Sequence, residues 1–156
     1  MTPLQIVLLV VGIFALQALI WIPIIVWFKR KSARIRAELA DELARSGERV
    51  DRGPESALYG GATAVYPTVG GNGVIVLTER RLVFRRLVGA AVEVPVAEIE
   101  GLRADKWFRS AYRGSSPWLI VRTRGGAEVG FKVADHAAWA AAVTAATNRT
   151  AGHAAS

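Results

Sequence analysis

The chain has 156 residues, no cysteine, two histidines, and twenty Lys and Arg against thirteen Asp and Glu, for a formal charge of +7. Disulfides, thiolate nucleophiles and cysteine-ligated metals are excluded, and the absence of thiols agrees with a reducing cytoplasm. Arg outnumbers Lys sixteen to four beside heavy use of Ala, Gly and Val, the usage of a GC-rich bacterial genome.

The first element is an uncharged run of 25 residues, Leu4 to Phe28, whose only polar side chains are Gln5 and Gln17. About 20 apolar residues in a helix cross a hydrocarbon core of about 30 Å, so the run spans a bilayer with some tilt. Helix is required, because lipid offers no partner for open backbone groups. A cleaved leader would need a basic start, a shorter apolar stretch and a small-residue cleavage pattern. None is present, so a retained anchor is expected. Lys29, Arg30, Lys31, Arg34 and Arg36 follow the run at once, and no Lys or Arg precedes it. The positive-inside rule then puts the N-terminus outside and residues 29–156 in the cytoplasm, at the cell membrane. Trp21, Trp27 and Phe28 suit the inner interface.

Within the anchor, Gly12, Ala15 and Ala18 recur at spacing three, and Gln17 lies near mid-span. Small residues allow close helix approach, and an amide in hydrocarbon favours a hydrogen-bonded neighbour. A contact with a second copy or another membrane protein is one reading; ordinary tolerance of a single Gln is the other. Pro23 is expected to kink the helix.

Residues 29–46 continue as helix, with Ile35, Leu39 and Leu43 at spacing four and pairs such as Arg34 with Glu38 and Glu38 with Arg45 on the wet faces. The basic start suits anionic headgroups. Gly47 is a C-cap candidate. Residues 47–57 contain Gly53-Pro54 and no periodicity, which predicts a linker.

From Leu58 the pattern turns to short β runs. Seven are predicted: Leu58–Tyr66, Val74–Leu77, Arg81–Val88, Val92–Val96, Glu98–Lys106, Trp118–Arg124 and Ala127–Val133. Pro67–Gly73 reads as loop and Gly125-Gly126 as a tight hairpin turn. Val92, Val94 and Val96 share one face, as do Val129, Phe131 and Val133. Asp135 is a good N-cap for a helix whose Trp139, Ala142, Val143 and Ala146 make one stripe, with Trp139 as a plug for an open sheet. Residues 149–156 read as a disordered tail.

Several of these segments resemble GRAM-type and bacterial pleckstrin-homology-like (PH-like) domains. Leu77-Thr78-Glu79-Arg80-Arg81-Leu82-Val83-Phe84 is similar to their "LT-x-x-R-L-x-F" hairpin. Val94-Pro95-Val96-Ala97-Glu98-Ile99 is similar to the "I-P-L-x-x-I" strand and turn that follows. Asp135 to Val143 is similar to their terminal helix. The resemblance spans about Leu58–Asn148 and implies a seven-stranded, partly open barrel capped by the C-terminal helix, used as a platform for lipid or protein. The chain departs from lipid-binding members in one respect: the first hairpin loop, Pro67–Gly73, has no Lys or Arg. That argues against specific phosphoinositide recognition.

No catalytic, cofactor or metal set emerges. His136 and His153 lack carboxylates at ligand spacing. Gly70-Gly71-Asn72-Gly73 lacks the Lys-Ser/Thr of a phosphate loop, and no nucleophile elbow occurs. The richest stretch is Arg103–Trp118. It interleaves Arg103, Lys106, Arg109 and Arg113 with Trp107, Phe108 and Tyr112. Aromatic rings beside guanidinium groups suit a membrane interface or an acidic protein surface; a membrane anchor disfavours nucleic acid. Alternatively, Trp107 and Phe108 fold back on the sheet. Arg80, Arg81, Arg85 and Arg86 form a second basic group.

The expectation is a single-pass, membrane-anchored binding or scaffold module, not an enzyme, with an anchor at 1–28, a basic helix and linker at 29–57, a PH-like domain at 58–148 and a tail at 149–156. Its partner is a protein, a second copy or anionic lipid. The alternative is a structural subunit or assembly factor of a larger membrane complex.

Overall fold

The computed structural model describes residues 2–112 and 114–156. One helix, α1, runs without interruption from Pro3 to Ser46. At about 1.5 Å per residue, its 44 residues are about 66 Å long. Thr2 caps it reciprocally with Gln5: the Thr2 N–H donates to Gln5 Oε1 (2.9 Å) and the Gln5 N–H to the Thr2 hydroxyl (3.4 Å). Pro23 sits inside the helix, which remains continuous through it. Gly47 ends it in the left-handed conformation that glycine adopts most readily. The apolar part of α1 is wholly exposed, long enough and apolar enough to cross a membrane.

Seven strands form one antiparallel sheet: β1 (Val50–Ala62), β2 (Gly71–Thr78), β3 (Arg81–Arg86), β4 (Val92–Pro95), β5 (Ile99–Asp105), β8 (Trp118–Thr123) and β9 (Glu128–Lys132). Their order is β4-β3-β2-β1-β9-β8-β5, and the edge strands β4 and β5 are not paired with each other. The sheet is thus not closed into a barrel. A single 3₁₀ turn, Val96–Glu98, joins the two edges. Between β5 and β8 lies a separate hairpin, β6 (Trp107–Phe108) and β7 (Ala111–Tyr112). Helix α2 (His136–Ala154) follows β9.

The long β1 pairs with β2 from Val50 to Tyr59 and with β9 from Leu58 to Ala62, with a register shift between Tyr59 and Gly61, so it joins the two halves of the sheet. The concave side holds the core. Tyr59, Phe84 and Phe131 form a triangle of rings with centroids 5.5–5.7 Å apart. Trp139, Val143 and Ala146 of α2 close that core. The Trp139 indole N–H donates to Glu55 Oε2 at 2.8 Å, and the Arg52 guanidinium lies 5.4 Å from the same ring.

The opposite face is also covered, in two places. Leu39 and Leu43 of α1, with Ile35 beside them, pack on Val74, Val76 and Val83 of β2 and β3. Phe108 of the hairpin packs on Trp118 and Ile120 of β8. That second contact requires bare backbone beneath it. A Cβ on Gly130 would overlap the Phe108 ring, and one on Gly60 would come within 2.7 Å of Trp118.

Several expectations are corrected. Residues 50–57 are strand, not linker. The register shifts around Arg52 and Glu55 accommodate Gly53-Pro54, since proline enters sheets at irregularities. Pairing with β2 supplies the order that local sequence lacks. The first predicted strand ends at Ala62, and the loop before β2 is shorter than read, because Gly71–Gly73 already pair with Leu58, Tyr59 and Ala57. Residues 149–154 are helix, not disordered. Arg149 pairs with Asp51 of β1, a tertiary contact that extends the helix, and within the helix the Thr150 hydroxyl returns to the Ala146 carbonyl (3.1 Å). Only Gly126 of the Gly125-Gly126 pair has positive φ (83°), and its N–H closes the turn onto Thr123 O (2.9 Å).

Candidate functional site

Three elements fix how α1 meets the sheet. The apolar stripe is one. The second is a charged latch at its C-terminal end. Arg81 reaches Glu48 (3.0 Å), Glu42 (3.5 Å) and Glu93 (3.0 Å), and Arg85 pairs with Glu42. The third is Thr78, whose hydroxyl accepts from the Arg81 N–H (3.0 Å) and lies 2.8 Å from Glu48 Oε2. Burial alone would raise the Glu48 carboxyl; hydrogen bonds from Arg81 and Thr78 outweigh it and hold Glu48 below the ordinary carboxylate range. The same bond to Glu48 raises Arg81. Arg81 and Arg85 of the second basic group are therefore structural, and Glu38 takes Arg34 (3.2 Å) while Arg45 donates to the Asp41 carbonyl.

At its other end the domain reaches the last apolar turn of α1. A cleft of about 480 Å³ opens there between Phe28 and Ser32 of the helix, Ser56, Asn72 and Lys132 of the sheet and Leu87 just after β3. A larger groove of about 720 Å³ runs past Pro23, Trp27 and Arg34. Only α1 lines it, so it is open helix surface. Next to the cleft, and sharing Leu58 and Asn72 with it, lies a hollow of about 440 Å³ bounded by Gly70, Gly71 and Trp118.

The loops around this end are tied together. Arg86 donates to Gly70 O (3.2 Å), Arg109 to Thr68 O, and the Tyr59 hydroxyl to Pro67 O (2.6 Å). Burial raises the Tyr59 hydroxyl to about 12, so it remains a donor. The β6–β7 hairpin belongs to the same rim, since Ala111 lines the hollow.

This hairpin divides the aromatic residues singled out in the sequence. Phe108 is buried beneath it, its ring 5.9 Å from Trp118. Trp107 and Tyr112 stay exposed and stack on one another, with centroids 5.1 Å apart. Arg109 and Ser110, both at positive φ (48° and 65°), make its turn without glycine. Lys106 is exposed beside it. Arg103 is drawn away into pairs with Glu128 (3.0 Å) and Asp105 (2.9 Å). Arg113 lies outside the described residues. Of the basic helix residues, Lys29, Arg30 and Arg36 are exposed, while Lys31 lies 4.7 Å over the Trp27 ring. Gly12, Ala15, Gln17 and Ala18 sit on the bare part of α1 with nothing packed against them.

Sequence reasoning missed the cleft residues. Lys132 alternates with buried positions of β9 and reads as a wet face. Ser32 and Asn72 carry no motif. Trp118 gave one clue: a buried indole needs a partner for its N–H. Among the described residues no three His, Cys, Asp or Glu side chains gather as a metal site.

No family model matches the chain, and no curated protein is similar to it. Among solved structures, the chain is similar to the C-terminal domain of an unknown protein from Leishmania infantum. The match has a TM-score of 0.51 at 14% identity and covers 72% of this chain and 97% of that one, a likeness of fold alone.

Proposed function

We propose that this chain is a single-pass, membrane-anchored PH-like binding module, held against the cytoplasmic face, whose rim engages anionic lipid or a protein gathered there. One observation carries the reading. The apolar helix and the β domain share an unbroken α1, latched to the sheet by Leu39, Leu43 and Arg81, so the domain has a fixed height and facing relative to the span. The antiparallel strand order, with a helix after the last strand, is in keeping with the PH-like resemblance. The basic turn after Phe28 supports a cytoplasmic domain. The exposed Trp107–Tyr112 pair suits a headgroup layer, where amphipathic rings reside. The proposal gives no residue a catalytic role.

The lack of cysteine makes the test direct. A single Cys replacing Tyr112 carries an environment-sensitive dye, and a second variant carries it at Gly152, near the opposite end of the domain. In vesicles containing phosphatidylglycerol, the label at 112 should be quenched by headgroup-level quenchers and that at 152 should not. Equal accessibility of both to water would sink the apposed geometry. A subunit role in a larger complex draws support from Gln17, which lies exposed on the apolar part of α1 with no side-chain partner among the described residues. Gln17→Leu should then weaken co-purification of other membrane proteins.

A further inference from the structure

We propose that the cleft between α1 and the sheet is a binding site for the phosphate headgroup of an anionic phospholipid from the same leaflet. This rests on the membrane reading of α1 and goes beyond it by naming a ligand and the residues that hold it.

Height is the first argument. Phe28, the last residue of the apolar run, lines the cleft, and Ser32 lies one turn on, about 6 Å further along the axis. The headgroup region on each side of a bilayer is about 5–8 Å thick, the difference between a core of about 30 Å and a whole of about 40–45 Å. The cleft therefore coincides with lipid phosphates.

Chemistry is the second. Its lining offers one cation, Lys132, three neutral hydrogen-bonding side chains, Ser32, Ser56 and Asn72, and no carboxylate. Phe28 and Leu87 give apolar flanks for the glycerol and the first acyl carbons. A volume of about 480 Å³ falls in the range of small-ligand sites.

The third argument is independent. Trp118 is 1% exposed, yet its indole N–H finds no partner among the described residues. A buried, unmade hydrogen bond is costly and rare in a stable fold. Trp118 lines the adjoining hollow, and the Lys132 ammonium lies 6.0 Å from its ring. An anion held by Lys132 would lie near the Trp118 ring. Lys132 thus holds the charge, the neutral groups orient the phosphate oxygens, and α1 and β9 each supply one wall.

The test uses full-length protein extracted from membranes in mild detergent, with native mass spectrometry as the readout. Equal amounts of dioleoyl phosphatidylglycerol and dioleoyl phosphatidylcholine are added. Wild type should retain one phosphatidylglycerol in preference to phosphatidylcholine. Lys132→Gln should lower that occupancy about tenfold, the loss expected for a charge-assisted bond. Asn72→Trp, which fills the cleft from an exposed position, should do the same. Arg124→Gln, on the turn between β8 and β9, should change nothing. Equal retention of the two lipids, unchanged occupancy in both cleft variants, or displacement of lipid by an equal concentration of inorganic phosphate would each overturn the site. Recovery of the chain in a soluble fraction would overturn the membrane reading along with it; membrane-bound protein without phosphatidylglycerol would overturn the site alone.

Discussion

At the scale of single residues, two positions concentrate consequences. Glu48 is depressed in the fold, so its stabilisation is present at neutral pH, above the ordinary carboxylate value, and is lost as pH falls through the lowered one. Glu48→Gln should cost about 2 kcal/mol at neutral pH, where a charged pair becomes a neutral one, and should flatten the acid limb of the stability profile. Chemical denaturation between pH 3 and 7 measures both. Gly130 matters because its missing side chain is the floor on which Phe108 rests. Gly130→Ala should destabilise the protein by about 2 kcal/mol through overpacking and should free the β6–β7 hairpin to exchange its amides, which hydrogen exchange reads directly.

Among elements, the union of α1 with the sheet is the contact most open to test. Leu39 is fully buried between Val74, Val76 and Val83. Leu39→Ala should cost about 3 kcal/mol and raise protease sensitivity between Ile35 and Gly47, while α2 keeps its packing. Much of this architecture was legible in sequence. Alternation in Val92–Val96 and Val129–Val133 named the buried faces, and Trp139 was read as the plug it is. Three features were hidden for physical reasons. Gly53-Pro54 broke the pattern of β1, whose order comes from distant β2. The β6–β7 turn uses Arg109 and Ser110 at positive φ, so no glycine announced it. The end of α2 is Ala- and Thr-rich without an apolar stripe, and its order comes from Arg149 meeting Asp51 across the chain. The cleft was illegible because its residues come from α1, β1, β2, the turn after β3 and β9 and share no spacing.

On the scale of the whole molecule, the domain extends along α1 from Phe28 to Ser46, about 27 Å of axis, with its rim at the apolar end and its α2 terminus beside Arg80 at the other. In the proposed setting the domain lies on the bilayer and does not swing from it. Phe28 is followed at once by cleft-lining helix, with no hinge glycine or proline before Gly47. Each residue of an α-helix advances about 1.5 Å and turns about 100°. Adding two alanines after Val26 would therefore rotate the domain by about 200° around its stem relative to any helix neighbour in the membrane, while raising it only about 3 Å. Adding seven would raise it about 10 Å and return nearly the same facing. If a fixed heading toward a membrane neighbour matters, crosslinking through Cys at position 112 should be lost with two and regained with seven, a phase dependence that a flexible tether would erase.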